Sequence, residues 1–417
     1  MTSQSRKAVI VGGGVIGATS AYYLAKRGWE VTILEQNRFG RGCSHGNCGY
    51  VSPSHVLPHA QPGAIWPVLR TMLKRNSPFI VRPRFDPMLW KWLLGFARRC
   101  NQHDMLKSAT AITALLKSSR RLFDELFAAE AFDCDWETRG LLFVFKSQKH
   151  FDHYAETDEL LRERFDTPAV RYEEADLLEL EPALKPGVAG AYLYECDGHL
   201  RSDKLMASWR KILEAQRVTI REGCQLLALH HKQHKVTEVE TTGGLQRADA
   251  VVIATGAWTP QLAHQLRVRL PIQPGKGYSI TMPRPAVCPK YPMIFEEHRV
   301  AITPFQSGYR VGSTMEFAGY DASLDPQRLE LLREGAKLYL KDPLGEPVQE
   351  EWWGWRPMIY DGLPVIGFAK AFENVVIAAG HGMLGLSMST GTGQLVAELL
   401  NGETPHLDPA PYAATRF

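Results

Sequence analysis

Four residues near the amino terminus have the types and spacing needed to bind a pyrophosphate and a ribose. Gly12, Gly14 and Gly17 form the pattern G-x-G-x-x-G, and Glu35 follows 18 residues after the last glycine. The first glycine permits a tight turn, the second lets the backbone approach a pyrophosphate, and the third lets a helix pack close to a strand. A helix that begins after Gly14 would direct free N–H groups at the pyrophosphate. Glu35 would accept hydrogen bonds from a ribose diol.

A predicted β-α-β unit positions these residues. Residues 8–11 are a short apolar run typical of a buried strand, and residues 18–28 have helical spacing and end at a glycine. Residues 29–34 predict the second strand, which carries Glu35 at its end. The unit predicts a dinucleotide site, and a glycine-rich turn without a ligand is the alternative. The same site is predicted to include Val15, Ile16 and Gln36.

A second glycine-rich segment, residues 41–49, follows the strand that carries Glu35. Its three glycines suit backbone that passes tightly against a flat, polar ring, so this segment separates FAD from NAD better than the first pattern does. Two more buried strands are predicted downstream, at residues 250–258 with an Ala-Thr-Gly turn and at residues 375–380 before a helix over 387–400. From these segments we assign to the cofactor site Arg41, Ser44, His45, Asn47, Gly49, Thr255 and Gly256.

Together these segments resemble the FAD-dependent D-amino acid oxidase superfamily, and most closely the bacterial D-amino acid dehydrogenases. The resemblance also covers residues 276–281, 354–358, 361–364, 380–385 and 394–400, and it extends over residues 8–402. It implies an α/β fold with a discontinuous, Rossmann-like FAD-binding domain. It also implies a second, α+β domain whose mixed sheet roofs the flavin.

The resemblance implies FAD, which we expect to be held without a covalent link. In the family pattern, an apolar residue at the position of Leu226 gives backbone hydrogen bonds to the adenine. A helix that begins near Ser387 would point its amino terminus at the flavin N1/C2=O edge, where reduced flavin is negatively charged. The turn before that helix would offer backbone N–H groups there, from Gly382, Met383, Leu384 and Gly385.

Three residues are candidates for contact with a substrate. In relatives, the arginine at the position of Arg356 holds the substrate carboxylate, and a planar guanidinium suits that role because it binds a carboxylate through two parallel bonds. The alternative is an arginine stacked on one of the neighbouring tryptophans, Trp352, Trp353 or Trp355. Tyr278 could hold the substrate carboxylate or amine, or be an ordinary strand tyrosine. His381 could contact flavin or substrate, or be a turn histidine with backbone partners.

The nucleotide-binding segments are discontinuous in sequence. Residues 1–60, 200–268 and 350–417 predict the FAD-binding domain, and residues 61–199 and 269–349 predict the substrate-binding domain. Within the latter, residues 109–128 predict a helix, and residues 140–145 and 308–312 predict strands. The histidine-rich residues 230–235 predict an exposed turn between two strands rather than a metal site.

Composition indicates a soluble enzyme. The 417 residues are 45% hydrophobic and 22% charged, with a net charge of +3, which excludes a strongly basic nucleic-acid-binding protein. The seven cysteines are scattered and include no C-x-x-C pair, so we predict neither a disulfide framework nor a zinc site. The first strand begins too early for a signal peptide, and no run of 18 apolar residues is present. We therefore expect a cytoplasmic protein.

One segment, residues 62–99, suggests where electrons leave. It carries eight basic residues and one acid, interleaved with six aromatic residues, which suits docking on an anionic membrane surface. The alternative is an aromatic core with a solvated basic face. The bacterial dehydrogenases of this family are membrane-associated, so the resemblance implies a quinone as acceptor and peripheral contact with the inner face of the cell membrane. The basic residues are Arg70, Lys74, Arg75, Arg82, Arg84, Lys91, Arg98 and Arg99.

Three functions remain open at this point. The first is oxidation of D-amino acids to imines, which water converts to 2-oxo acids and ammonia. The second is the same chemistry on a cyclic secondary amine such as cis-4-hydroxy-D-proline or D-proline. The third is a flavoprotein subunit that relays electrons within a larger complex.

Overall fold

The first of the two large sheets is built from short apolar strands. The computed structural model describes residues 5–66 and 77–417. Six strands pair in the order β19-β20-β13-β1-β2-β9, all parallel except the β19 edge. The strands are β1 (Lys7–Val11), β2 (Glu30–Leu34), β9 (Thr219–Arg221), β13 (Ala250–Ile253), β19 (Val365–Phe368) and β20 (Val375–Ala379). The segments predicted from the first glycine pattern and from the two downstream runs therefore meet in one sheet.

Two helices cover one face of this sheet. Helix α1 (Val15–Lys26) follows β1, and helix α9 (Ser389–Asn401) packs directly against it. Their backbones come very close at Gly393, where an added Cβ would lie 2.6 Å from the Thr19 carbonyl carbon. Helix α9 begins two residues later than predicted. Ser387 lies in the preceding turn, where its hydroxyl donates to the Tyr50 carbonyl oxygen at 2.9 Å.

A small antiparallel sheet lies beside the first. Strands β10 (Leu226–Lys232), β11 (Lys235–Thr241) and β12 (Gly244–Arg247) pair in chain order. His230 and His231 lie near the end of β10, where the strand becomes exposed. The turn to β11 consists of Gln233 and His234. The turn predicted for residues 230–235 is thus four residues shorter than expected, because β10 continues through Lys232 and β11 begins at Lys235.

The second large sheet has nine strands. Eight follow the order β18-β14-β17-β16-β15-β5-β7-β6, and β4 pairs with β17. The two strands predicted in this part of the chain are confirmed as β5 (Leu141–Phe145) and β17 (Gly308–Phe317). The others are β4 (Phe79–Val81), β6 (Val170–Glu173), β7 (Gly190–Tyr194), β14 (Ile272–Met282), β15 (Met293–Phe295), β16 (Val300–Phe305) and β18 (Glu350–Ile359).

Strand β18 differs from the predicted domain division. That division assigns residues from 350 onward to the FAD-binding domain, yet β18 pairs along its whole length with β14 of the nine-stranded sheet. The chain enters the six-stranded sheet only afterwards, at β19 and β20. A sequence pattern for a buried strand does not indicate which sheet the strand joins, so the boundary at residue 350 falls too early.

The remaining elements connect the two sheets. Helix α3 (Gln102–Ala129) contains the helix predicted over residues 109–128 and packs against α9. The short pair β3 (Tyr50–Val51) and β8 (Gly198–His199) joins the second glycine-rich segment to the loop that precedes the helix at Ser202–Ala215. The other helices are α2 (Pro87–Arg99), α4 (Gln148–Phe165), α5 (Glu174–Leu180), α6 (Ser202–Ala215), α7 (Ala263–Leu266) and α8 (Pro326–Lys337).

Candidate active site

A cavity of about 480 Å³ lies at the carboxyl ends of β1, β2, β13 and β20. Ligands of open α/β sheets bind at this edge, where the strand order reverses and loops diverge. One end of the cavity is lined by Glu35, Gln36 and Leu226, and the other by Arg356 and His381. The cavity therefore connects the predicted nucleotide residues to the predicted substrate residues.

Two glycines of the first pattern are required by close backbone contact. Gly12 has a φ of +112°, and an added Cβ would lie 2.4 Å from the Ala254 carbonyl oxygen. An added Cβ at Gly17 would lie 2.0 Å from the Gly12 carbonyl oxygen, so α1 packs directly on the turn. Gly17 does not line the cavity, and its effect on a ligand would act through this packing. Lining positions are occupied by Gly12, Gly14, Val15 and Ile16.

The Glu35 carboxylate is held against the cavity by two backbone donors. Gly13 N–H donates to Oε2 and Asn37 N–H donates to Oε1, both at 2.8 Å. Each oxygen keeps a further lone pair for a ligand hydroxyl. Gln36, Leu226, Thr255 and Gly256 also line this part of the cavity, as do Asn37 and Gln225, which the sequence patterns did not predict.

The second glycine-rich segment crosses the middle of the cavity. Arg41, Ser44 and Asn47 line it, and the Ser44 hydroxyl accepts from the Val15 N–H at 3.0 Å, the first free donor of α1. Two residues predicted to contact the cofactor do not reach the cavity. His45 Nε2 lies 2.9 Å from the Glu350 carboxylate, and Gly49 packs under Leu200, whose carbonyl oxygen would be 1.8 Å from an added Cβ.

The turn before α9 forms the far wall of the cavity. His381, Gly382, Met383 and Gly385 line it, whereas Leu384 faces a second, smaller cavity of about 50 Å³. The His381 Nε2 lies 3.0 Å from the Thr392 hydroxyl oxygen. Burial lowers the pKa of His381 to about 3, so the imidazole is neutral at physiological pH.

Arg356 extends from β18 over Gly277, where no Cβ blocks its guanidinium. Its Nη1 donates to the Thr314 carbonyl oxygen at 2.6 Å, and no carboxylate among residues 5–66 and 77–417 forms an ion pair with it. Burial lowers the pKa of Arg356 from its ordinary value, while the adjacent thiols of Cys43 and Cys48 act in the opposite direction. The stacked alternative fails for Trp353, whose ring instead carries Lys276 at 5.1 Å.

The expectation that Tyr278 faces the substrate is corrected by the strand register. Gly275 pairs with Arg356 and Gly277 with Gly354, which places these residues on one face of β14 and β18. Tyr278 therefore points to the opposite face. Its side chain is fully buried there, and its hydroxyl donates to the Glu316 carboxylate at 2.5 Å.

Sequence reasoning missed several residues that line the cavities. Trp258, Trp353 and Trp355 are among the lining residues, and their rings contact one another edge to face, with centroids 5.2 Å and 4.9 Å apart, on the side of β18 opposite to the Arg356 guanidinium. His59 lines the smaller cavity together with His381, and burial lowers the pKa of His59 to about 4. The Trp-rich sequence before Arg356 was a usable signal for Trp353 and Trp355, but nothing in the local sequence indicated His59.

Comparisons with known proteins agree with this geometry. A family model described as FAD dependent oxidoreductase matches residues 7–399. A D-amino acid dehydrogenase of Xanthobacter autotrophicus is 35% identical, with 98% of each chain covered. A D-amino acid dehydrogenase of Methylobacterium radiotolerans is also 35% identical, over 98% of this chain and 99% of that one.

Solved structures with low sequence identity share the fold. Glycine oxidase from Bacillus cereus has a TM-score of 0.75 at 21% identity, covering 96% of this chain and 97% of its own. L-proline dehydrogenase from P. horikoshii has a TM-score of 0.73 at 20% identity, with 99% and 98% covered. The predicted α/β fold class and the predicted FAD cofactor are confirmed. Because the family model matches nearly the whole of this chain, the chain belongs to the FAD dependent oxidoreductase family.

Proposed function

We propose that this protein is a dehydrogenase that converts D-amino acids to 2-oxo acids and ammonia. The observation that carries the proposal is Arg356, a guanidinium on the cavity wall whose hydrogen bonds go to a main-chain carbonyl oxygen and a thioether rather than to a carboxylate. A cation without a fixed acidic partner is suited to an anionic ligand group. The relatives named D-amino acid dehydrogenase support an amino acid carboxylate as that group.

The residues of the cavity fit FAD. The absence of side chains at Gly12 and Gly14 leaves room for a pyrophosphate beside the first turn of α1. Glu35 would hold the adenosine ribose, and Leu226 would lie against the adenine. The isoalloxazine ring of the flavin would then extend past residues 41–47 to the turn before α9. Its wall there would consist of Arg356, Trp258, Trp353, Trp355, His381, Gly382, Met383 and Gly385.

When bound, FAD supplies an acceptor for the hydride that leaves the substrate Cα. The protein's own contribution is to hold the substrate. Arg356 would bind the carboxylate through two parallel bonds, and a fixed carboxylate together with one open flavin face would present the Cα–H of a single enantiomer. The amine proton is lost with the hydride, and water then converts the imine to a 2-oxo acid and ammonia.

The described wall contains no strong base at the Arg356 end. Glu35 is the single acid among the lining residues of the large cavity, and it lies at the nucleotide end. His381 and His59 have pKa values lowered by burial to about 3 and about 4, so neither is positively charged above pH 6. Neutral imidazoles do not repel a protonated amine. The substrate amine can therefore enter beside them and lose its proton to solvent.

We also propose that the electron acceptor is a quinone in a membrane. The support is α2, which exposes Met88, Trp90 and Leu94 while burying Leu89 and Trp92. Phe85, just before the helix, is 96% exposed, and Lys91, Arg98 and Arg99 add positive charge to the same segment. Helix α2 thus has a packed inner face, as in the aromatic-core interpretation, and its exposed apolar and basic residues support the proposed membrane contact. Arg70, Lys74 and Arg75 lie outside the described residues. Among the described residues, no helix is long and apolar enough to cross a bilayer.

The acceptor proposal is tested with vesicles and oxygen. The protein should co-sediment with phosphatidylglycerol vesicles and not with phosphatidylcholine vesicles, and Trp90→Glu should weaken that binding. Turnover should be fast with a short-chain quinone and slow with oxygen alone. Full turnover with oxygen would overturn the acceptor proposal, and equal binding of the Trp90→Glu variant would overturn the membrane contact.

The substrate proposal is tested by anaerobic reduction of the bound flavin. A panel of D- and L-amino acids, D-proline and cis-4-hydroxy-D-proline is mixed with the holoenzyme, and loss of the oxidised-flavin absorbance is followed. D-amino acids with primary amines should bleach the flavin at least about tenfold faster than their L forms. Faster bleaching by the cyclic amines would favour the second function. No bleaching by any of these substrates would favour an electron-relay subunit.

A further inference from the structure

Arg310 is a fully buried arginine of β17 that makes five hydrogen bonds. Its Nε donates to the Thr281 hydroxyl at 2.9 Å, and its Nη2 donates to Asp203 at 3.0 Å. Its Nη1 donates to the Asn47 carbonyl oxygen at 2.7 Å and to the His45 carbonyl oxygen at 3.3 Å. One guanidinium therefore joins the nine-stranded sheet to the second glycine-rich segment.

The start of helix α6 completes this contact. The Ser202 hydroxyl lies 2.8 Å from the His45 carbonyl oxygen and 3.0 Å from that of Asn47, and Arg310 Nη1 donates to the same hydroxyl at 2.9 Å. Asp203 bonds Arg310 and neutralises its buried charge. The two carbonyl oxygens thus share the one proton of the Ser202 hydroxyl, and both accept from the Arg310 Nη1.

The opposite side of the same segment faces the cofactor cavity. Ser44 and Asn47 line that cavity, and they alternate with the two peptide groups that Arg310 holds. Ser44 also accepts from the first N–H of α1. A shift at the carbonyls of residues 45 and 47 would therefore be transmitted directly to the cavity wall.

We propose that Arg310 is a positioning residue that sets the affinity and the environment of the flavin through the carbonyl groups of His45 and Asn47. Lysine cannot replace it, because a single ammonium cannot direct donors to Thr281, Asp203 and the two carbonyls at once. The inference needs FAD as the cofactor and does not depend on which amino acid is oxidised. Its failure would leave the proposed substrate untouched.

Arg328 provides a matched control. This arginine of α8 is 2% exposed, and it donates to the carbonyl oxygens of Ser77 at 2.7 Å and Pro78 at 2.8 Å. Like Arg310, it is buried and bonded to main-chain oxygens, including that of Met315 at 3.4 Å, and none of these three partners lines either cavity. Replacing the Arg328 guanidinium should destabilise the fold without moving the cavity wall.

The experiment compares Arg310→Lys with Arg328→Lys in the holoenzyme. The dissociation constant for FAD, the flavin absorbance and fluorescence spectra and the melting temperature are measured for each variant. Arg310→Lys should raise the FAD dissociation constant at least about tenfold and shift the flavin spectrum, whereas Arg328→Lys should change only the melting temperature. Equal FAD affinity and identical spectra in the two variants would overturn the proposal.

A second variant covers the case in which Arg310→Lys does not fold. Ser202→Ala removes the hydroxyl from the same two carbonyls and leaves the arginine in place. It should raise the FAD dissociation constant about threefold or more and shift the flavin spectrum in the same direction. A Ser202→Ala protein with wild-type FAD affinity and spectrum would contradict the proposed role of these carbonyls.

Discussion

The two ends of the large cavity are built in different ways. The nucleotide end is formed mainly by residues 11–16 and 34–37, which are neighbours in sequence and contribute chiefly through their backbone. The other end brings together Trp258, Arg356 and His381, which come from three distant segments and contribute side chains. A short motif can therefore specify the first end, whereas the second exists only once both sheets have formed.

The two ends of the cavity also differ in the kind of interaction on which ligand binding depends. At Gly12 and Gly17 the requirement is steric, because a Cβ would overlap a carbonyl oxygen. At Arg356 and His381 it is electrostatic, since one side chain carries a charge and burial keeps the other neutral. Substitutions at the first end should weaken FAD binding itself. Substitutions at the second should change how substrate is bound while FAD stays in place.

The largest effect is expected for Gly17→Ala. The added Cβ would lie 2.0 Å from the Gly12 carbonyl oxygen, so α1 must move away from the turn that holds the pyrophosphate. We expect the FAD dissociation constant to rise at least about 100-fold, measured by flavin fluorescence after reconstitution. Gly367→Ala, in strand β19 of the six-stranded sheet, is the control, because the nearest atom to its added Cβ would be 3.5 Å away. Full FAD retention by Gly17→Ala would show that the first end tolerates more than its sterics suggest.

Arg356 is the corresponding test of the other end. Arg356→Lys keeps the charge and loses the fork, so KM for D-amino acids should rise about 10- to 100-fold. Arg356→Met removes the charge and should raise KM further, with the flavin spectrum unchanged in both variants. Steady-state kinetics with an artificial acceptor measure this. Loss of FAD from the Arg356 variants would instead indicate a structural arginine.

The contrast between the ends also explains what the sequence could predict. The β-α-β unit at β1, α1 and β2 was predicted because periodicity, glycine spacing and a terminal acid are local signals. Arg356 was placed at the cavity by its motif. Tyr278 was misplaced because local sequence does not indicate which face of β14 points at the cavity, and one residue along a strand reverses the direction.

Residues that act across the two sheets were beyond local reasoning. Arg310 and Glu350 hold the segment 41–49 from strands that are more than 250 residues away in sequence. His45 was predicted to contact the cofactor because it belongs to the second glycine-rich segment, yet its ring is directed at Glu350, and the hydrogen bond from His45 lowers the pKa of that carboxyl. Only the pairing of distant strands reveals such partners.

Substitution of Glu35 tests whether a side chain contributes to FAD affinity at the nucleotide end of the cavity, where the backbone supplies most of the contacts. Its carboxylate accepts from two N–H groups and would accept from the ribose as well. Glu35→Ala removes a charge-assisted hydrogen bond of about 1.5–3 kcal/mol, which predicts a loss of FAD affinity of about 10- to 150-fold. Glu35→Gln keeps one acceptor and should lose less. The FAD dissociation constant is measured by titration of the apoprotein, and an unchanged value for Glu35→Ala would remove Glu35 from the site.

The smallest effect is expected for His381→Gln, which tests the neutral side chain of the second end. Because burial lowers the pKa of His381 to about 3, the imidazole stays neutral between pH 6 and 9, and the pH profile of kcat/KM should match the wild type there. Stability should respond at lower pH. An unfolded histidine binds a proton below about pH 6.5 and the folded one does not, so stability falls as the pH drops from about 6.5 towards 3.

At pH 5.5 this penalty for His381 is about 1 kcal/mol, and the glutamine variant lacks it. The melting temperature of His381→Gln should therefore fall by fewer degrees between pH 8 and pH 5.5 than that of the wild type. His103→Gln, at an exposed position, is the control and should behave like the wild type. If His381→Gln instead shifts the kcat/KM profile near pH 7, the histidine titrates in the working enzyme. The second end would then take part in proton transfer as well as in binding.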